Sequence, residues 1–443
     1  MAISCMQWRS RSMHKSTERR SWKLDRVEIE NYRAIGKLHL PLDRDLTVLH
    51  GENGHGKTSV LSAIAMSLES IRMFLLGLSS VDFRKVDSHL RVGLTTVGGM
   101  AWDRQGMVDP RSVLQEQSLQ DLKGEMDAII SADQEGTEPL DLPIVAFYDT
   151  DRAVLDPPQH RSKSRTEFPR YEALRDALSA RADFEDTVHW FHAKENEELR
   201  EQKERLDFGH QRNDLKAVRK AIEAMLPGVS NPRIGYGPLC FVVSVQPDDG
   251  EPEKLSIDQL SGGYRIMLAL AADLARRMAQ GNPHLEDPLQ SEAVVLIDEV
   301  ELHLHPSWQQ RVLADLTRTF PNTQFIVSTH SPQVLTTVKP EHVVELWWEQ
   351  GEIVAGSVGA PTYGAKAGDV LATVMGVKER PDGNEFVKKL AQYTALVAEG
   401  KGESPEAISL RQELDALSPR DSELDRADIE IRRRKLFQSM GRP

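Results

Sequence analysis

The chain has 443 residues, 40% hydrophobic and 28% charged, a composition that suits an ordinary folded protein with room for two or three domains. A net charge of −13, from 55 Lys and Arg against 68 Asp and Glu, and a pI near 5.6 exclude a generically basic nucleic-acid binder but not a local basic groove. Two cysteines, Cys5 and Cys240, are too few for a disulfide framework or a Cys-rich metal centre and suit a reducing cytosol, and apolar runs such as 73–78 fall well short of a membrane span.

Residues 1–22 are rich in Arg, Ser and Lys without periodicity. They read as a disordered basic extension, with Met13 a candidate true start; a phosphate-touching arm and a transit-like segment are the alternatives. Residues 26–32 alternate apolar and polar as a half-buried strand does, and 37–40 can pair back onto them. Leu46-Thr47-Val48-Leu49-His50 reads as a buried strand. It runs into Gly51-Glu52-Asn53-Gly54-His55-Gly56-Lys57-Thr58-Ser59, which matches the phosphate-binding pattern G-x-x-x-x-G-K-[ST]. In such a loop the glycines let backbone N–H groups turn inward toward phosphate, Lys57 adds a point charge, and the Thr58 hydroxyl is a hard oxygen ligand suited to Mg²⁺. A helix over 60–67 then directs its N-terminal dipole at the phosphates, and a second apolar helix is expected at 71–78.

Weaker patterns follow. Strands are expected at 90–96 and 99–103, a helix at 114–132, and a buried strand at 142–148 closed by Asp149-Thr150-Asp151-Arg152. Pro157-Pro158 and the basic residues 161–165 mark a linker. Residues 168–206 and 215–225 carry helical spacing and stop at Pro227-Gly228, too short and broken for a coiled-coil arm. A hairpin is expected over 233–236 and 239–245.

Three further stretches carry chemistry. Leu260-Ser261-Gly262-Gly263-Tyr264 opens an apolar helix; its hydroxyl and freed N–H groups form an anion site, or else an ordinary N-cap. Val294-Val295-Leu296-Ile297-Asp298-Glu299 is a buried strand that brings two carboxylates to its C-terminal edge, where ligands bind in α/β sheets. There Asp298 can hold Mg²⁺ and Glu299 can take a proton from an attacking water; a strand ending in two exposed acids is the plain alternative. A strand over 324–328 ends at Thr329-His330, and strands at 343–348 and 352–355 close the pattern. The tail, 365–440, is helical and strongly charged.

These motifs in this order, with Ser261 preceding Asp298 by 37 residues and Asp298 preceding His330 by 32, resemble the ABC-type ATPases. The resemblance implies an α/β fold: a mixed central sheet with helices, an antiparallel β subdomain, a compact helical lobe near 157–228 and a C-terminal helical tail. It places the ATPase domain at 23–355 and a region for partner or self-association at 356–443. It further implies ATP and Mg²⁺ as ligands, Lys57, Glu299 and His330 as catalytic groups, and Thr58 and Asp298 on the metal. Ser261, Gly262 and Gly263 would face the γ-phosphate held by a second subunit, His330 being the switch histidine.

Glu28-Ile29-Glu30-Asn31-Tyr32-Arg33-Ala34 and the run from Asp298 through Leu302-His303-Leu304-His305-Pro306-Ser307-Trp308-Gln309 look like the RecF/SMC/OLD branch rather than transporters. In that branch His303 and His305 lie where two subunits communicate, and a metal pair is the weaker reading. The glutamine that transporters carry between the lobes cannot be assigned in Asp149-Thr150-Asp151-Arg152; Arg152 is a candidate γ-phosphate or subunit contact, or a loop salt bridge. The 204 residues from Lys57 to Ser261 leave no room for a long coiled coil, and the 113 after His330 carry no acidic cluster of the OLD nuclease kind. The tail, from Pro361-Thr362-Tyr363-Gly364 through Glu379-Arg380-Pro381, resembles antiphage ATPases of the Septu type, also found beside some retrons. The expected protein is therefore a cytoplasmic, homo-oligomeric ATPase that controls a separate HNH nuclease. Nucleic acid (DNA, or retron RNA/DNA) is a candidate partner, and no membrane is involved. A RecF-like DNA repair ATPase and an ATP-gated scaffold without turnover are the rival readings.

Overall fold

The computed structural model describes residues 21–77, 90–106, 119–150, 167–179, 184–235, 239–247 and 250–439. The basic extension over 1–20, Arg152 and the linker residues 157–165 lie outside them. The chain divides into two compact units, Met1–Ala367 and Gly368–Pro443.

The first unit is built on three sheets. One is antiparallel, ordered β2-β1-β4-β5, from β1 (Leu24–Tyr32), β2 (Ile35–Pro41), β4 (Leu90–Thr96) and β5 (Ala101–Gly106). The central sheet is mixed, ordered β13-β12-β3-β11-β10-β6. Its members are β3 (Leu46–His50), β6 (Ile144–Tyr148), β10 (Ala293–Ile297), β11 (Thr323–Ser328), β12 (Val343–Glu349) and β13 (Glu352–Ser357). All its pairings are parallel except β12 with β13. β6 and β10 are buried at every position, as the unbroken runs IVAFY and AVVLI require of strands covered on both faces. A small third sheet joins β7 (Val229–Gly235), β8 (Cys240–Val245) and β9 (Glu253–Ser256). The buried amide of Gln324 ties the first two sheets together: its Oε1 accepts from Leu24 N at 2.7 Å and its Nε2 donates to Leu24 O at 2.7 Å.

The two helices expected at 60–67 and 71–78 are one helix, α1 (Lys57–Leu76), because the intervening Leu68, Glu69 and Ser70 include no breaker; Gly77, at φ 61°, ends it. By length and composition α1 could cross a bilayer, but its window is mostly buried and it packs between the central sheet and the antiparallel one. α2 (Gln120–Glu135) lies against α1 and β5. The helical stretch expected at 168–206 is interrupted: a 3₁₀ turn at Arg170–Leu174 precedes α3 (Phe184–Arg205). α4 (Asn213–Met225) and α3 both pack on α5 (Gly262–Gly281), whose residues from Ile266 onward are all buried. Short helices α6 (Pro306–Gln309), α7 (Val312–Thr319) and α8 (Pro332–Leu335) complete the unit.

The second unit holds most of α9 (Ala367–Thr373), then α10 (Glu385–Ala398), α11 (Pro405–Leu417) and α12 (Ser422–Ser439). Leu390, Tyr393, Val397, Leu414 and Leu424 form its small core. Asn384 and Ser404 cap α10 and α11, and Arg380 grips Asp421 through two bonds of 2.9 and 3.0 Å.

Candidate nucleotide site

The site lies at the C-terminal edge of the central sheet because its strands end in step. Ile297 is level with both Tyr148 and Val327, and Ser328 is level with Leu49. One residue further along, Asp298, Ser328 and the entry to the phosphate loop therefore arrive at one edge, as parallel α/β sheets arrange their ligand sites.

In the loop, Gly51, Gly54 and Gly56 have φ of 151°, 83° and 86°, which L side chains rarely adopt. Gly51 also has no room: a Cβ there would lie 2.4 Å from Leu346 O. Gly56 serves as N-cap of α1 without any side-chain cap, leaving the first turn to an anion. Lys57 is buried and folds back over the loop, its Nζ donating to Gly51 O and Glu52 O, both at 2.9 Å. Burial lowers its pKa, while Asp298, Glu299 and Glu301 act to raise it. His55 Nδ1 lies 2.9 Å from Leu346 O, pinning the loop to β12. Glu52, Asn53, Gly54 and Thr58 are exposed, so this face of the loop is open; Ser59 is half-buried on α1.

Thr58 Oγ1 donates to Asp298 Oδ2 at 2.6 Å. Two hard oxygen donors from distant parts of the chain thus meet, as Mg²⁺ coordination needs; this ion commonly takes few protein ligands and completes its shell with water and phosphate oxygens. Among the described residues no group of three or more His, Cys, Asp or Glu is arranged to hold a metal.

The other oxygen of Asp298 accepts from Ser328 Oγ, and Ser328 Oγ in turn accepts from Glu299 N at 2.8 Å. Ser328 therefore fixes both carboxylate residues, a role that "buried strand residue" does not announce in the sequence. Glu299 itself sits at φ 47°, left-handed for a non-glycine residue, so the chain turns sharply and carries the Glu299 side chain away from the strand line.

His330 follows β11. Its backbone N donates to Glu301 Oε1 at 2.5 Å, and Thr329 Oγ1 donates to Glu301 Oε2 at 2.8 Å. Glu301 is a second residue that sequence patterns do not single out; the signal would have been an acid two residues after the Asp-Glu pair, facing the turn after the next strand. Burial, then proximity to Lys57, hold the His330 pKa below the ordinary histidine value, against the pull of Glu299 and Asp298. His50 is buried beside it and lowered by burial, partly offset by its hydrogen bond to the Thr329 backbone.

Ser261 is exposed and caps α5 without a side-chain bond of its own. Gly263 fits closely under the 298–305 loop, where a Cβ would lie 3.1 Å from His303 O, and Tyr264 packs against Trp308 in a tilted pair, 4.5 Å between ring centroids. Thr58, Asp298 and Glu299 thus form one bonded group that also takes in Ser328, and Lys57 and His330 are electrostatically coupled to it. Among the described residues no hydrogen bond joins Ser261, Gly262 or Gly263 to the phosphate loop of their own chain. His303 is exposed at φ 61°, and His305 caps α6 by accepting from Ser307 N.

Residues 26–227 match the family described as "AAA domain", and residues 128–336 the family described as "AAA domain, putative AbiEii toxin, Type IV TA system". The retron Ec83 probable ATPase of Escherichia coli is 28% identical over 92% of this chain and 86% of its own length. These matches mark the chain as an ATPase, similar to those of the ABC type. The Septu protein PtuA of Bacillus mycoides (strain KBAB4) is 26% identical to the ATPase over 70% of this chain but only 38% of its own length. A solved SMC head bound to the C-terminal winged-helix domain of ScpA aligns with 76% of the ATPase and 97% of its own chain, at 17% identity and a TM-score of 0.46. The ATPase is thus similar to probable ATPases of retrons and to a Septu protein.

Proposed function

We propose that this ATPase hydrolyses ATP at a site completed by a second copy of the chain, and that its nucleotide state controls a partner HNH nuclease in cytoplasmic antiphage defence. The observation that carries the reading is the bonded group Thr58–Asp298–Ser328–Glu299 beside an exposed phosphate loop. On this reading Gly51 to Gly56 cradle the phosphates and Lys57 leaves its two carbonyls to neutralise them. Thr58 and Asp298 hold Mg²⁺, which when bound offsets phosphate charge. Glu299 takes the proton of the attacking water at its carboxylate, and His330 senses the γ-phosphate. Ser261 of the second copy closes the open face. Its exposed position at the start of α5, with no side-chain cap bond of its own, supports this role in trans. The HNH partner and the defence setting rest on the resemblance to the retron and Septu ATPases; Cys240, an unbridged thiol, suits the cytoplasm.

Phosphate release and size-exclusion chromatography test the reading. Wild type should release phosphate from ATP, and Glu299→Gln should stop turnover and elute as an ATP-trapped dimer. An unchanged elution profile with ATP would overturn the trans site, and absence of hydrolysis by wild type would favour a scaffold.

A further inference from the structure

Away from the phosphates lies a buried ionic junction that the hydrolytic chemistry does not use. Asp273, in the third to fourth turn of α5, is 2% exposed, and four donors reach its carboxylate. Arg276 Nη2 (2.7 Å) and Thr187 Oγ1 of α3 (3.1 Å) bond to Oδ1; Arg277 Nε (2.7 Å) and Tyr148 Oη (2.9 Å) bond to Oδ2. Four bonds saturate a carboxylate. Arg277 also donates to Ala173 O at 2.7 Å and Arg175 O at 3.0 Å, bringing in the segment after the linker. α3, α5 and the segment around Ala173 therefore converge on one acid.

Tyr148 is the link from this junction to the central sheet. It is the last residue of β6, and while its hydroxyl holds Asp273, its own carbonyl accepts from Asp298 N at 2.9 Å. One residue thus bonds to the helix that Ser261 caps and to the residue that meets Thr58. None of the four residues after it, Asp149 to Arg152, is a glutamine.

We propose that Tyr148 is a positioning residue that transmits the placement of α5, and so of Ser261, to Asp298, making hydrolysis depend on the position of the helical lobe. The inference deepens the proposed function and rests on Asp298 and Ser261 acting as described there. The link is mechanical. Burial, with Asp273 adding to it, holds the Tyr148 phenol well above its usual range, so it stays a donor at any physiological pH.

Tyr148→Phe deletes the hydroxyl and little else, and leaves Asp273 with three donors. Thr187→Val removes a comparable bond to the same carboxylate from the lobe side, so it matches the structural loss without cutting the route to the sheet. In the full-length protein we expect Tyr148→Phe to lower kcat about tenfold with KM for ATP within about twofold, and Thr187→Val to keep the wild-type kcat. Wild-type kcat in Tyr148→Phe, or an equal loss in both variants, overturns the proposal. Wild-type turnover by Glu299→Gln would instead locate the failure in the reading of the site. If Tyr148→Phe does not fold, hydrogen exchange of Glu299→Gln with and without ATP decides. Protection should change together in α5 and β6, and a change confined to α5 overturns the link.

Discussion

Ser328→Ala removes the one hydroxyl that holds both acids of the site. Ser328 is fully buried, donates to Asp298 and accepts from Glu299 N at 2.8 Å. A hydrogen bond to a charged group contributes about 1.5–3 kcal/mol, and a buried N–H left without a partner costs about 1–3 kcal/mol. Such losses are not additive, and Asp298 keeps its bond from Thr58, so a net effect of about 2 kcal/mol is reasonable. Expressed in the transition state, that corresponds to roughly a thirtyfold fall in kcat. The contacts of Lys57 and the loop glycines are untouched, so KM for ATP should stay within about threefold. Phosphate release at saturating ATP, a titration with a fluorescent ATP analogue and a thermal melt separate the terms. A kcat within about twofold of wild type would refute the reasoning, because the two bonds would then not govern the placement of Asp298 and Glu299. A raised KM at unchanged kcat would also refute it, by moving Ser328 into ground-state binding.

Glu301→Ala should lower kcat roughly tenfold by freeing the turn that carries His330, and Glu301→Gln, which keeps one acceptor oxygen, should recover part of it; equal losses would contradict the hydrogen-bond argument. Gly51→Ala places a Cβ against the Leu346 carbonyl at a φ that alanine disfavours, so the nucleotide-free melting temperature should fall by several degrees, and an unchanged midpoint would be evidence against the close fit. Glu299→Gly should abolish turnover yet melt no lower than wild type, since glycine takes φ 47° without strain; a clear loss of stability would count against that account. Acid should weaken the nucleotide-free protein. His50 and His330 both have folded pKa values below the ordinary 6.5, so on acidification the unfolded chain takes up protons first. Their contribution is full above about pH 6.5 and is lost as pH falls through 6.5 toward the folded values. Melting midpoints from pH 7.5 to 5.5 should drop, and by less in a His50→Asn/His330→Asn double variant; parallel curves would refute the assignment.

The sheet of this protein is legible in its sequence because its strands are short, apolar and bounded. β3 and β4 coincide with the stretches read as 46–50 and 90–96, and β10 ends at Ile297, just before the two carboxylates read at its C-terminal edge. Helix limits were less so. The stretch 68–70 is polar enough to look like a break, yet it lies inside α1 with Ser70 and Leu68 buried between two sheets, and tertiary packing overrides the local pattern. In the site, motif spacing singles out Thr58, Asp298 and Glu299, which the structure brings together, but it does not single out Ser328, Glu301 or Tyr148. Ser328 and Glu301 bond to partners that strand register brings near, 30 and 28 residues away, and Tyr148 to Asp273 on α5, 125 residues away; neither register nor helix packing is written in any local pattern.

The exposed side of the phosphate loop has a thermodynamic consequence on the proposed reading. Asn53, Gly54 and Thr58 are open on one face, and Ser261 is open at the start of another helix. A two-fold axis that brings the Ser261 of one copy to the loop of the other brings the reverse pair together as well, so one interface closes two sites. ATP would then bind more tightly to the dimer than to the monomer, and by linkage it must favour dimerisation by the same factor. Hydrolysis removes the γ-phosphate that Ser261 reaches, and with it the differential affinity. The same carboxylate, Glu299, that consumes the nucleotide would therefore set how long the assembly lasts. A partner that reads the dimer would respond to turnover rate as well as to ATP concentration.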